Sequence, residues 1–132
     1  MKCIMFDMDG TLIDSIGGWF GSCSYFLTEM NLEETDELKE MFKGKKLYAR
    51  GIAIKEYYNL DLTADEIYAK NLKYVKEGYD DIYEPKENVI EALDYLKEKG
   101  YKISLNTATN IGLCRNCLER TGLIKYFNYI KT

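Results

Sequence analysis

Two aspartates separated by one residue, directly after a short apolar run, constrain this chain more than any other feature. The run at residues 4–6 predicts a strand buried on both faces, as in a parallel sheet, and Asp7 and Asp9 follow it, with Gly10 next. Because residues i and i+2 of an extended chain share a face, both carboxylates would point the same way, roughly 6–7 Å apart. Carboxylates at the C-terminal end of such a strand lie where open α/β sheets bind ligands.

Composition limits the classes of function. The chain has 132 residues, a formal net charge of −4 and no histidine. This length predicts one domain, or a small domain with an insert. The acidic balance argues against nucleic acid as a partner, because binding a phosphate backbone needs clustered Lys and Arg. With no apolar stretch long enough for a membrane span and no recognisable signal peptide, we expect a cytoplasmic protein with no membrane partner.

The cysteines allow two interpretations. Cys114 and Cys117 form a C-x-x-C pair within a helical pattern, but no second Cys pair or His is present to complete a zinc site. The plainer interpretation gives them apolar helix positions, and the alternative gives them a redox or metal role. The absence of histidine also excludes Ser-His and Cys-His nucleophiles.

Helical spacing of apolar residues dominates residues 15–81, where no convincing strand interrupts it. Four helices are predicted, and the last begins with a capping box formed by Thr63 and Glu66 and runs to about Tyr79. This stretch therefore predicts a helical, bundle-like insert.

The alternation of helix and strand resumes after the insert. Pro85 is predicted to open a helix, because proline suits the first helical position. A second strand is predicted at 103–107, followed by small polar residues that can cap a further helix, and a third strand at 127–130.

The predicted fold class is therefore α/β. Residues 1–14 and 82–132 would form an incomplete, Rossmann-like parallel sheet core of about three strands that carries the catalytic motifs. Residues 15–81 would form an inserted α-helical cap.

The paired aspartates allow three interpretations. A calcium-binding EF-hand fails, because placing Gly10 at its sixth position puts Ile16 where the loop needs Glu. A structural pair that caps a turn stays open. The third interpretation is a catalytic pair, in which one Asp attacks, the other moves protons and a divalent cation offsets their charge.

Carboxylates of this kind suit phosphoryl transfer. An Asp can accept a phosphoryl group as an acyl phosphate and pass it on to water or to a second substrate. Hard oxygen ligands favour Mg²⁺ as the accompanying cation. Thr107, at the end of the second predicted strand, would hold a phosphate oxygen with help from backbone N–H groups.

The motif at residues 7–15, Asp-Met-Asp-Gly-Thr-Leu-Ile-Asp-Ser, resembles the first motif of the haloacid dehalogenase superfamily. The match is to its phosphoglycolate phosphatase and β-phosphoglucomutase branch. Residues 102–107 resemble the second motif, a strand that ends in Thr or Ser, and the helical insert resembles the family's cap. The resemblance extends over residues 1–132.

The resemblance implies specific roles. Asp7 would be the nucleophile and a magnesium ligand, and Asp9 the general acid/base, with its backbone carbonyl on the metal. Thr107 would bind the phosphoryl group together with the N–H groups of Met8, Asp9 and Ala108. Dehalogenases of this superfamily lack the second Asp, so Asp9 implies phosphate chemistry on a small phosphorylated metabolite.

The sequence also departs from the family pattern. The third motif, a Lys, and the fourth, an acidic pair, both follow the third strand, and neither occurs before Thr132. We expect the first strand to have an open edge, the chain to be truncated after the third core strand, and its activity alone to be weak or absent. The alternative is an inactive interaction module that self-associates through this edge.

Substrate choice would lie in the cap. Lys45, Lys46 and Arg50 are candidates for holding a substrate carboxylate or second phosphate, and a solvated helix face is the alternative. The sequence names no substrate and does not separate a phosphatase from a phosphomutase, because both use the same Asp pair.

Overall fold

A computed structural model describes residues 2–132, which form two compact units. The first unit comprises residues 2–16 and Glu77–Thr132, and the second comprises Gly17–Lys76. The chain thus leaves the first unit after Ile16 and re-enters it at Glu77, whereas the sequence pattern placed these boundaries at 14/15 and 81/82. The assignment of one unit as catalytic core and the other as cap stays a prediction.

The first unit is built on a parallel sheet of three strands in the order β1-β2-β3. These strands are β1 (Cys3–Phe6), β2 (Lys102–Asn106) and β3 (Tyr129–Lys131). The register pairs Phe6 with Leu105 and Leu105 with Ile130, so the carboxyl ends of all three strands meet at one edge of the sheet. The predicted α/β class, with a Rossmann-like sheet of about three strands, is confirmed.

Burial of β1 differs from the prediction. Ile4 and Phe6 are half-buried, while the side chains that alternate with them are exposed, including Met5 at 65%. The reason is that β1 pairs with β2 alone in residues 2–132 and has an open edge. The central strand β2, which has a neighbour on each side, buries Ile103 and Leu105 completely.

The second unit is helical. It contains α1 (Ile16–Glu29), α2 (Asp36–Phe42), α3 (Leu47–Tyr58) and α4 (Ala64–Glu77). Apolar side chains from all four helices form its core: Cys23, Phe26, Leu27, Leu38, Phe42, Ala53, Ile54 and Ile67. Among residues 2–132, no helix combines the length and the apolar character that a membrane crossing requires.

The predicted capping box at the start of α4 is confirmed. The N–H of Thr63 donates to Oε2 of Glu66 at 2.7 Å, and the N–H of Glu66 donates back to Oγ1 of Thr63 at 3.2 Å. The N–H and Oγ1 of Thr63 both donate to the Glu66 carboxylate, which stabilises its ionised form and lowers the pKa of Glu66.

Two further helices, α5 (Val89–Glu98) and α6 (Ile111–Arg120), pack in the first unit with a π-helix (Gly78–Ile82) and a 3-10 helix (Ile124–Tyr126). The prediction that Pro85 opens a helix is wrong. Pro85 forms an antiparallel bridge with Ile13, and the N–H of Lys86 donates to the carbonyl of Leu12 at 2.9 Å. This pairing holds the segment extended, so α5 begins only at Val89.

Candidate active site

A tight turn follows β1 and fixes the two aspartates. The carbonyl of Met8 accepts N–H groups from residues 11–13 at distances between 2.9 and 3.3 Å. Gly10 adopts φ +73°, and a Cβ there would lie 2.7 Å from Cγ1 of Ile16, so both conformation and space require glycine. The fully buried side chain of Met8 anchors this turn in the core of the first unit.

Asp7 lies on the exposed side of this turn. Its Oδ1 accepts the N–H of Met8 at 2.8 Å. Because Phe6 pairs with Leu105, Asp7 and Thr107 follow neighbouring strands at the same edge of the sheet. The carboxylate of Asp7 is therefore accessible to a ligand bound at that edge.

The half-buried Asp9 is held by three hydroxyl groups. Oγ of Ser15 donates to Oδ1 of Asp9 at 2.6 Å, and the hydroxyl of Tyr79 donates to the same oxygen. Oγ1 of Thr109 donates to the other carboxylate oxygen, Oδ2. All three partners are side-chain hydroxyl groups, and together they fix the orientation of the Asp9 side chain.

The segment after β2 supplies one of these hydroxyls. Thr107 is buried, and its N–H donates to the carbonyl of Lys131 at 3.0 Å. Its Oγ1 accepts the N–H of Thr109 at 3.2 Å, which turns the Thr109 side chain to the Asp9 carboxylate. Asn110 then caps α6 by accepting the N–H of Gly112 at 2.8 Å.

The predicted phosphate-binding groups lie in these two segments. In the chain from residue 2 onward, no hydrogen bond uses the N–H of Asp9 or of Ala108, and Ala108 is exposed. The N–H of Met8 is already bonded to Asp7. The roles of Met8, Asp9, Thr107 and Ala108 in binding phosphate stay predictions.

The predicted specificity residues belong to the second unit, around the start of α3. Lys45 and Lys46 are exposed, and Nζ of Lys45 donates to the carbonyl of Met41 at 2.6 Å. The guanidinium of Arg50 lies 4.8 Å from the ring centroid of Phe20, and its Nε donates to the carbonyl of Lys45 at 2.9 Å. These contacts order the basic side chains within their own unit, and their role in specificity stays a prediction.

Sequence reasoning missed Ser15, Tyr79 and Thr109 as partners of Asp9. Spacing could have revealed Thr109, because it lies two residues after Thr107 in the same small polar run. Tyr79 was assigned to the last helix of the insert. In the structure α4 ends at Glu77 and a π-helix places Tyr79 in the first unit.

The C-x-x-C pair is part of the core. Cys114 and Cys117 are fully buried, and burial raises the pKa of each thiol to about 11. A redox dithiol needs a thiolate near neutral pH, which this environment opposes. The structure therefore supports the apolar interpretation of these two positions.

The oxygen atoms near the turn are of the chemical type that binds Mg²⁺. Asp7 offers an exposed carboxylate, and no N–H in residues 2–132 donates to the backbone carbonyl of Asp9. Both are hard oxygen ligands. The described residues bring no three His, Cys, Asp or Glu side chains together, so they supply only part of a ligand set.

Comparison with known proteins identifies the family. The family model for haloacid dehalogenase-like hydrolases matches residues 4–132. The chain belongs to this family. The match covers the aspartate turn, the helical second unit and all of β2 and β3.

Individual proteins and solved structures are similar to almost the whole chain. A phosphoglycolate phosphatase from Agrobacterium fabrum is 24% identical in an alignment of 127 residues that covers 93% of this chain. A candidate β-phosphoglucomutase from Thermotoga maritima superposes with a TM-score of 0.84 at 23% identity over 99% of this chain. The candidate HAD-hydrolase YfnB from Bacillus subtilis, solved bound to magnesium, superposes with a TM-score of 0.74 at 16% identity over 98% of it.

These relatives are longer than the chain. It spans 54% of the Agrobacterium phosphatase, and 61% and 63% of the Thermotoga and Bacillus chains. At 23% and 16% identity, the similarity to the two solved structures establishes that the chain shares their fold.

Proposed function

We propose that this chain carries the nucleophile and the acid/base of a magnesium-dependent phosphatase for a small phosphorylated metabolite. The observation that carries the proposal is the contrast between the two aspartates. Asp7 is exposed at the edge of the sheet, whereas Asp9, two residues on, is fixed by three hydroxyl donors. An accessible nucleophile beside a positioned proton carrier is what phosphate ester hydrolysis requires.

In the first half-reaction an oxygen of Asp7 attacks the phosphorus atom of the substrate. A bond forms between Asp7 and phosphorus while the ester bond to the leaving oxygen breaks. Asp9, in its protonated form, gives its proton to that oxygen, and the alcohol departs. Thr107 and the N–H groups of Asp9 and Ala108 are available at this edge to hold the phosphoryl oxygens.

In the second half-reaction water attacks the phosphorus of the aspartyl phosphate. Asp9, now ionised, takes a proton from the water as the bond between Asp7 and phosphorus breaks. Inorganic phosphate leaves, and both aspartates return to their starting protonation states. The same carboxyl group thus serves as acid and then as base.

Magnesium would be held by the carboxylate of Asp7 and the backbone carbonyl of Asp9, whose oxygens are available. When bound, it offsets the negative charge shared by the carboxylates and the phosphate. Support for this part of the proposal comes from the ligand chemistry of the turn and from the Bacillus relative solved with magnesium.

Turnover of p-nitrophenyl phosphate with Mg²⁺ by the full-length gene product tests the proposal. We expect Asp7→Asn to lower kcat by roughly 10³-fold or more, because the variant lacks the attacking carboxylate. Asp61→Asn, which changes an exposed aspartate of the second unit, is the matched control and should keep full activity. Equal turnover by wild type and Asp7→Asn would contradict the nucleophile assignment.

The molecule that accepts the phosphoryl group from Asp7 distinguishes a phosphatase from a phosphomutase. A phosphatase releases inorganic phosphate, whereas a phosphomutase returns the phosphoryl group to a sugar hydroxyl. Product analysis with a hexose phosphate distinguishes them, and we expect release of inorganic phosphate. If wild-type protein shows no turnover, the alternative is an interaction module, for which size-exclusion chromatography at several concentrations should show self-association.

A further inference from the structure

A single π-turn lies where the chain re-enters the first unit. The π-helix Gly78–Ile82 begins directly after α4, and the N–H of Tyr83 donates to the carbonyl of Gly78 at 2.7 Å, a spacing of five residues. Such turns are rare and are often associated with functional sites. The turn reorients the chain after Glu77, and its second residue, Tyr79, is fully buried.

Glycine at position 78 makes this turn possible. A Cβ on Gly78 would lie 2.0 Å from Cζ of the Tyr83 ring, a distance no side chain tolerates. With glycine there, the Tyr83 ring packs against that of Tyr79 in an edge-to-face pair, with centroids 5.0 Å apart and planes at 80°. The ring of Tyr79 is thereby held at a fixed angle.

Two side chains of the neighbouring helix α6 contact the residues in and after the π-helix. Nδ2 of Asn116 donates to Oδ1 of Asp80 at 3.0 Å. Arg120 donates to the carbonyl of Tyr83 and forms an ion pair with Glu84 at 2.7 Å. The π-helix is therefore fastened on both sides of Tyr79.

The hydrogen bonds to Asp9 are divided unequally between its two carboxylate oxygens. Ser15 and Tyr79 both donate to Oδ1, which uses both lone pairs of that oxygen. Oδ2 receives only Thr109 among the donors described, so it keeps one lone pair. A proton can be exchanged with a ligand at Oδ2 without displacing Ser15 or Tyr79.

We propose that Tyr79 is a positioning residue that saturates Oδ1 of Asp9 and presents Oδ2 as the oxygen that carries the proton. This inference rests on the proposed function, in which Asp9 protonates the leaving oxygen. Loss of the Tyr79 hydroxyl frees a lone pair on Oδ1 and lets the carboxylate rotate. The proton then reaches the leaving oxygen less efficiently, although the nucleophile Asp7 is unaffected.

The chain offers a matched control for Tyr79→Phe. Tyr126 is also nearly buried in the first unit, and its hydroxyl donates to an aspartate, Oδ1 of Asp94, at 2.7 Å. Tyr126→Phe therefore removes the same kind of hydrogen bond without touching Asp9. Any effect common to both variants reflects stability, and an effect of Tyr79→Phe alone reflects the position of Asp9.

The dependence of kcat/KM on the leaving group gives the decisive readout. A p-nitrophenolate ion leaves without protonation, whereas an alkoxide needs the proton of Asp9. We expect Tyr79→Phe to lower kcat/KM roughly 10–100-fold for an alkyl phosphate such as phosphoglycolate, and less than about threefold for p-nitrophenyl phosphate. Tyr126→Phe should lower neither. Equal losses of Tyr79→Phe on both esters would overturn the proposal.

A double-mutant cycle between Tyr79→Phe and Asp9→Asn, measured by denaturant unfolding, needs no activity. We expect the two changes to be non-additive, whereas Tyr126→Phe and Asp9→Asn should be additive. Additive effects of Tyr79→Phe and Asp9→Asn would overturn the proposal. Wild-type protein inactive on both esters would instead refute the proposed function, and the cycle would still decide whether Tyr79 holds Asp9.

Discussion

The hydroxyl of Tyr79 donates a hydrogen bond to Oδ1 of Asp9 across 70 positions of the sequence. Ser15 and Thr109 complete the set of donors, so three separate segments of the chain converge on one carboxylate. This convergence distinguishes Asp9 from Asp7, whose side chain is exposed.

Thr109 should matter through its hydroxyl. Thr109→Ala removes the donor to Oδ2 of Asp9, and we expect kcat/KM for an alkyl phosphate to fall about tenfold or more. Thr109→Ser keeps the hydroxyl and should retain most of the activity. If steady-state kinetics show the serine variant as impaired as the alanine variant, the methyl group and its packing are responsible instead.

Gly78, the first residue of the π-turn, should be sensitive to substitution by any residue with a side chain. Gly78→Ala forces a Cβ into the Tyr83 ring, and we expect the free energy of unfolding to fall by about 1–3 kcal/mol. Gly21→Ala is the matched control, because it lies inside α1 with no atom within 4 Å of the added Cβ. It should raise stability by about 0.5–1 kcal/mol. Denaturant unfolding of both variants measures the contrast, and similar values would contradict the account.

The sequence predicted the parts of this site that depend on local pattern. Apolar runs followed by Asp7 and by Thr107 placed both residues at strand ends, and parallel pairing brings those ends to one edge. The capping box was also predicted from residues close together in sequence, Thr63 and Glu66, and the structure contains it. Each of these features needs only a few neighbouring residues.

The features that could not be predicted depend on distant contacts. Helical spacing continues through residue 79, so nothing local indicates that α4 ends at Glu77. The π-helix that follows brings Gly78 against the ring of Tyr83, five residues further along the chain. Pro85 suits a helix start, but pairing with Ile13 holds it extended. The apolar run of β1 predicted burial on both faces, but the open edge, which was expected, leaves Met5 exposed.

The buried cysteines should resist alkylation. Burial raises the pKa of Cys23, Cys114 and Cys117 from 9.0 to about 11, whereas Cys3 is exposed. We expect iodoacetamide at pH 8 to modify Cys3 alone in the native protein, as read by peptide mass mapping, and all four cysteines after unfolding. Rapid native labelling of Cys114 or Cys117 would restore the redox interpretation.

The raised pKa values of the three buried thiols determine how the stability of the protein changes at alkaline pH. Above pH 9 the native state binds more protons at these thiols than the unfolded chain does, so their contribution to stability falls as pH rises from about 9 to about 11. Cys114→Ala should reduce this loss between pH 9 and 11 in denaturant titrations. An unchanged pH dependence would indicate that the thiol already ionises in the native state.

The pKa of Glu66 is shifted in the opposite direction, so its contribution to stability is lost at acid pH. Its pKa is lowered by hydrogen bonds from Thr63, so its contribution is present above about pH 4.5 and is lost as pH falls through the lower native value. We expect Thr63→Ala to lower the thermal midpoint by about 2–5 °C at pH 7. The difference from wild type should be smaller at pH 3, because protonation of Glu66 weakens its bond from Oγ1 of Thr63, whereas the bond from the N–H of Glu66 to Oγ1 does not depend on pH. A constant difference would indicate that the second bond alone stabilises the helix start.

Trapping the covalent intermediate tests the central claim most directly. In Asp9→Asn the base that activates water is missing, so a phosphoryl group transferred from p-nitrophenyl phosphate should remain on the protein. We predict that acid quenching and peptide mass mapping locate it on Asp7, and that Asp7→Asn with Asp9→Asn carries none. A protein without label, or a label on another residue, would contradict the assignment of Asp7 as nucleophile and Asp9 as acid/base.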